Sequence, residues 1–163
     1  MSVLSIKFTE GSWQLNETQF SSLNLLVGVS GAGKTQTLKS LGYLRRVGLE
    51  GSKRRSSCSW EMKFLIDGHT YLWGGVIKDT FFLHECIERD GAVLVKRDHA
   101  HSSFLFNGAV LPQLKWTESA ITLLADEKDL TPLHYSLRCI VSSVDYSEWW
   151  FVQHPPLAVQ QSL

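Results

Sequence analysis

The sequence predicts an α/β fold in which a small parallel core is fused to an antiparallel β-meander subdomain and followed by C-terminal helices. Three observations carry this. A continuous apolar run, "LNLLVG" at 23–28, meets a glycine-rich turn that opens an amphipathic helix. Between residues 58 and 112, β-prone runs alternate with Asp67-Gly68, Asp90-Gly91 and Asn107-Gly108, dipeptides suited to tight hairpins. Beyond residue 117 the apolar spacing becomes helical.

The opening run "VLSIKF" (3–8) alternates apolar and polar residues and reads as a strand. The run at 23–28 is apolar throughout, the pattern of a strand buried on both faces in a parallel sheet. From Gly33 to about Val47 the spacing of Leu38, Leu41 and Leu44 predicts a helix, with Gly48 placed to end it. A basic loop, "EGSKRRSS" (50–57), leads into a meander of about four to six strands. "TPLHYSLRCIVSSV" (131–144) predicts a helix with Leu133, Leu137, Ile140 and Val144 on one face and Pro132 in its first turn. The chain divides into strands, glycine loop and first helix (1–49), β subdomain (58–112) and helical segment (117–150), all within one lobe, 1–163.

Sixteen Lys and Arg balance sixteen Asp and Glu, so net charge provides no global drive toward nucleic acid. Three cysteines without C-x-x-C spacing fit a reducing compartment better than a disulfide framework or a structural zinc site. No basic, apolar leader pattern opens the chain and no run approaches the ~20 apolar residues of a membrane span. A cytoplasmic location without membrane contact is expected.

Gly28-Val29-Ser30-Gly31-Ala32-Gly33-Lys34-Thr35 matches G-x-x-x-x-G-K-[ST] in full. The glycines allow a sharp turn whose amides, with the N-terminus of the following helix, make a nest of partial positive charge for phosphate. Lys34 is placed to reach the β- and γ-phosphates, Thr35 to ligand Mg²⁺, and Ser30, Ala32 and Gln36 to contribute backbone donors. ATP and Mg²⁺ are the expected ligands.

With "VLSIKFTE", "FSSLNLLVGVSGAGKTQTLKSL", "FFLHECIERDGAVLVKRD" and "FLFNG" in this order, residues 2 to about 145 resemble the N-terminal lobe of ABC/SMC-like P-loop ATPases. Its RecF-like, Overcoming-Lysogenization-like and defence-associated AAA-type members are the nearest in pattern. The resemblance implies a P-loop NTPase core with residues 11–22 as a short excursion, and places antiviral defence among the roles to consider. It also implies a homodimer or hetero-assembly through the ATP-binding face. An L-S-G-G-type signature segment, expected in that family, is missing, so the lobe reads as the first half of such an ATPase, either truncated or completed by another polypeptide.

"ITLLADE" (121–127) resembles the acidic strand motif, which would make Asp126 a metal ligand and Glu127 the base. The competing reading, which the missing signature favours, is a short helix with a solvated acidic end. Glu85 either lines the nucleotide pocket, as in related ATPases, or occupies a solvated strand face, the commoner placement. Asp98, His99 and His101 are weak metal candidates, because further spaced ligands are lacking. Arg45, Arg46, Lys53, Arg54 and Arg55 form a local basic concentration that either tracks nucleic-acid phosphates or, more simply, solvates a helix end. Trp149, Trp150 and Phe151 offer a partner surface or an aromatic cap.

The expected function is therefore an ATP·Mg²⁺-binding lobe acting as a nucleotide-dependent dimerisation or assembly switch. Lys34 and Glu127 are its candidate catalytic residues. Two alternatives stand beside it: a complete small kinase or GTPase using Asp126 and Glu127, and a nucleotide-stabilised scaffold.

Overall fold

The computed structural model describes residues 1–22, 24–52, 57–112 and 115–140. The basic residues at 53–55, the predicted helical residues beyond 140, and Trp149, Trp150 and Phe151 lie outside the described residues.

Eight strands form one open sheet: β1 (Ser2–Glu10), β2 (Trp13–Gln19), β3 (Cys58–Ile66), β4 (His69–Lys78), β5 (Phe81–Arg89), β6 (Ala92–Asp98), β7 (Ser103–Phe106) and β8 (Ala109–Val110). The order across the sheet is β2-β1-β3-β4-β5-β6-β7-β8. Every neighbouring pair is antiparallel. Among the described residues three helices occur, α1 (Lys34–Glu50), α2 (Ala120–Leu123) and α3 (Thr131–Arg138).

This corrects the predicted α/β class. There is no parallel P-loop core among the described residues, and the opening strand belongs to the same sheet as the meander. With Gly11 at φ 58°, the chain turns back at once and β1 pairs with β2, so residues 11–22 are mostly hairpin. The far edge of β1 is then taken by β3. Parallel neighbours for residues 23–28 would have to arrive by further crossovers, but from β3 to β8 each strand is joined by a hairpin to the next and paired with it. One trace of α/β logic survives. Both β2 and β3 are antiparallel to β1 and hence parallel to each other, so α1 is a crossover helix with one strand between its ends.

The hairpin dipeptides behave as their chemistry requires. Asp67-Gly68, Asp90-Gly91 and Asn107-Gly108 have φ of 51° and 82°, 51° and 80°, and 48° and 78°, the paired positive values of type I′ turns. Asp79 and Thr80 adopt the same geometry at φ 50° and 74° without a glycine, a turn that the sequence does not advertise.

Strand periodicity gives the sheet one apolar face. Phe8, Trp60, Gly75, Glu85, Arg97 and Phe104 align across it in register, beside a second row of Ile6, Met62, Trp73, Ile87 and Val95. Helices cover this face: Tyr43 of α1 meets Phe8 at 5.7 Å, and buried Leu133 and Leu137 of α3 join the same core. The opposite face carries Lys7, Glu61, Lys63 and Lys96, with Lys63 3.0 Å from Glu17. Helices on one side of an antiparallel sheet define an α+β architecture.

Gly48 does not end α1, which runs on to Glu50 and is capped by Gly51. Its role is close approach: a Cβ there would lie 2.3 Å from Leu137 Cδ1 and 3.2 Å from the Trp73 ring. Thr122 Oγ1 donates to Gly48 O at 2.7 Å, tying α2 to the same end of α1.

Burial ranks the three thiols. Cys58 is buried beside Tyr43, and desolvation pushes its pKa up to about 11; Cys86 is half-buried and also raised by burial; Cys139 is exposed. Alkylation near pH 8 should therefore modify Cys139 first and Cys58 only on unfolding, because the thiolate is the reactive form. Mass spectrometry of a timed labelling series checks this, and early labelling of Cys58 would contradict the packing.

Asp129, just before α3, pins the helical layer to the sheet. It accepts from Arg89 Nη1 at 2.7 Å and from Asn107 Nδ2 at 3.2 Å, and these partners hold its carboxyl below the usual range, Asn107 most. The stability it contributes is fully present above the unfolded carboxylate value, about pH 4, and drains as pH falls through the depressed native value. An Asp129→Asn variant should thus lose less stability than the wild type on acidification below about pH 4 in urea titrations. Parallel losses would refute the link.

Candidate functional site

Residues 28–36 form an exposed turn into the N-terminus of α1. Gly31 and Gly33 stand at φ 85° and 86°, left-handed values that side chains disfavour, and Gly33 is the N-cap. Within the turn Ala32 N donates to Val29 O at 3.2 Å, and Thr37 N closes onto Gly33 O at 2.9 Å. The amides of Gly33, Lys34, Thr35 and Gln36 have no acceptor among the described residues. Such orphan donors, with the helix dipole behind them, favour an anion.

Lys34 Nζ folds back over the turn. It donates to Gly28 O at 2.6 Å and Val29 O at 2.9 Å, so the ammonium sits over the loop rather than in bulk solvent. A third N–H remains for a ligand. Ser30 and Ala32 lie on the exposed loop, and Thr35 and Gln36 are exposed on the first helical turn.

Trp13, which sequence reasoning does not connect to this loop, stands beside it. A Cβ on Gly33 would lie 3.8 Å from its indole Nε1, and its ring is held 5.8 Å from Phe8. Only the hairpin brings residue 13 to residue 33; the sequence signal was a large aromatic just after a Gly-Ser turn.

No family model, curated protein or solved structure matches the chain. The site is therefore read from its own residues.

The other candidates do not join the loop. Residues 120–123 are helical, capped by Ser119 Oγ accepting from Ile121 N at 3.2 Å, so of its two readings "ITLLADE" takes the favoured one, a short helix, and not the acidic strand. Asp126 and Glu127 are exposed in the turns that follow. Gly48, which anchors α2, is fourteen residues along α1 from Lys34, or about 20 Å at the helical rise. The tertiary contacts hold α2 at the opposite end of α1 from the glycine turn.

Glu85 is neither a pocket residue nor a solvated one. Fully buried, it pairs with Arg97 Nη1 at 2.9 Å and accepts from Trp73 Nε1 at 3.1 Å, Ser119 Oγ at 2.5 Å and Ala120 N at 2.8 Å. Arg97 also donates to Glu118 O at 2.7 Å and Lys115 O at 3.1 Å, and lies 4.9 Å from the Phe104 ring and 5.1 Å from the Trp116 ring. This network docks the start of α2 onto the sheet. An N-cap aimed at a buried carboxylate could not be read from residues 34 positions apart.

Asp98 and His101 pair, whereas His99 turns away from them. Asp98 accepts from its neighbours around the β6–β7 turn and sits 2.8 Å from His101 Nδ1, the partner that chiefly holds its carboxyl low. The His99 ring instead packs against Trp116 at 4.8 Å. Among the described residues no three His, Cys, Asp or Glu side chains converge as a metal site. Arg46 is exposed and Arg45 half-buried on α1. No described helix is long and apolar enough to cross a membrane.

Proposed function

We propose that the chain binds ATP with Mg²⁺ at residues 28–36 and uses the nucleotide to switch its assembly with another polypeptide. The observation that carries this is the combination of orphan amides at the mouth of α1 with Lys34 folded back onto the carbonyls of Gly28 and Val29 in the same turn. Phosphate oxygens would replace the water on those donors, and the third Lys34 proton would meet the terminal phosphates. The exposed Thr35 hydroxyl would help to hold Mg²⁺, which would supply charge neutralisation to the phosphates.

Phosphoryl transfer needs a positioned water and a base in addition to a cradle. Asp126 and Glu127 follow a helix anchored at the far end of α1, so this reading assigns the remaining catalytic groups to a partner, and turnover by the isolated chain is expected to be slow. A nucleotide that bound the assembled form better than the free one would shift the equilibrium toward it.

Calorimetric titration of the full chain with a non-hydrolysable ATP analogue, with and without Mg²⁺, tests the reading. Saturable, Mg²⁺-strengthened binding supports it. Absence of heat with the analogue and with inorganic triphosphate would end it.

A further inference from the structure

The hairpin turn at Asn107-Gly108 differs chemically from those at Asp67-Gly68 and Asp90-Gly91: its first residue carries a neutral carboxamide. Both residues are exposed, and a Cβ placed on Gly108 would meet nothing within 4 Å. With no side chain on Gly108 to shield it, its backbone nitrogen can close onto Asn107 Cγ as a cyclic imide when the turn opens. The other two asparagines, Asn16 and Asn24, precede Glu17 and Leu25, whose side chains crowd the equivalent nitrogen.

The fold opposes this step at one contact. Asn107 Nδ2 donates to Asp129 Oδ2 at 3.2 Å, and Arg89 Nη1 holds Asp129 from the sheet at 2.7 Å. Pairing of Phe106 with Ala109 keeps the turn closed beneath them. The amide must leave the carboxylate before its Cγ can swing onto Gly108 N.

We propose that Asn107 is a self-modification site, deamidating spontaneously at a rate set by release of its side chain from Asp129. The product then opens the contact between the β7–β8 hairpin and the residue that leads into α3. In the reaction Gly108 N bonds to Asn107 Cγ while the Cγ–Nδ2 bond breaks. The Gly108 amide proton leaves with the NH₂ group as ammonia. Water opens the imide at either carbonyl, leaving aspartate or isoaspartate at position 107 and releasing a proton from the new acid.

The effect of the product depends on Asp129. A donor facing that carboxylate becomes a second carboxylate, and like charges so close repel. The turn itself accepts aspartate, because Asp67-Gly68 and Asp90-Gly91 hold the same paired positive φ. The aspartate product therefore acts through the lost contact and not through strain in the turn. Isoaspartate, which routes the main chain through the side-chain methylene, breaks the turn as well.

Incubating the full chain in mildly alkaline buffer, with peptide mapping by mass spectrometry at intervals, tests this. Conversion should accumulate at Asn107 and not at Asn16 or Asn24, more slowly in the folded chain than in urea. An Asp129→Ala variant, shown to be folded by circular dichroism, should convert several-fold faster than wild type, and the two rates should converge in urea. Asn107→Asp, made directly, should lower the urea midpoint of the wild-type background but not that of the Asp129→Ala background, a coupling that the double-mutant cycle reads. A folded chain that keeps Asn107 intact over the period that converts the unfolded chain overturns the proposed site. Equal folded-state rates with and without Asp129 overturn its guarding role. A loss of stability in Asn107→Asp that persists without Asp129 overturns the repulsion.

Discussion

Arg97→Met should destabilise the protein by about 3–5 kcal/mol, because it leaves the Glu85 carboxylate buried without its cation. Both side chains are sealed from solvent, and three further donors converge on the same carboxylate. For a chain of this length the loss corresponds to a fall in Tm of roughly 6–20 °C. Urea denaturation of the variant measures it directly. Adding Glu85→Gln should recover part of the loss, since it removes the stranded charge while retaining an acceptor for Trp73 or Ser119. A single variant within about 1 kcal/mol of wild type would show that the pair is not buried as described.

Lys34→Ala should weaken binding of ATP roughly 10- to 100-fold, the equivalent of losing charge-assisted hydrogen bonds worth about 1.5–3 kcal/mol. Two effects combine. The ammonium is lost as a phosphate partner, and the loop loses the bonds to Gly28 O and Val29 O that hold it closed. Because Lys34 is on the helix surface, thermal unfolding should change little, which separates a binding defect from a folding defect. Titration of the variant with the same ATP analogue gives the comparison. Equal affinities for wild type and variant would remove Lys34 from the site.

Local chemistry was legible in the residues. The Asp-Gly and Asn-Gly pairs specify type I′ turns because few other residues tolerate two successive positive φ values, so most of the meander could be written down from them. The glycine turn was equally plain, since positive φ at Gly31 and Gly33 and a lysine at the helix start are properties of adjacent positions. For the short helix at 120–123, by contrast, the apolar spacing fitted a strand as well, and the missing signature segment tipped the reading to a helix. The structure shows a feature that spacing lacks, Ser119 as an N-cap.

By itself, then, the sequence determined the turns, the glycine loop and the strands of the meander, all set by interactions between residues a few positions apart. Only the tertiary structure decided which strand edges meet. Once β1 folds back on β2 and accepts β3, both of its edges are taken, and the parallel core that the apolar pattern of the run before the glycine loop predicts does not form among the described residues. The same is true of Glu85, whose partners Arg97, Ser119 and Ala120 are brought together by the sheet register and the docking of α2. Pairing partners and buried charges depend on which surfaces win a competition for burial across the whole chain, and no local pattern encodes that outcome.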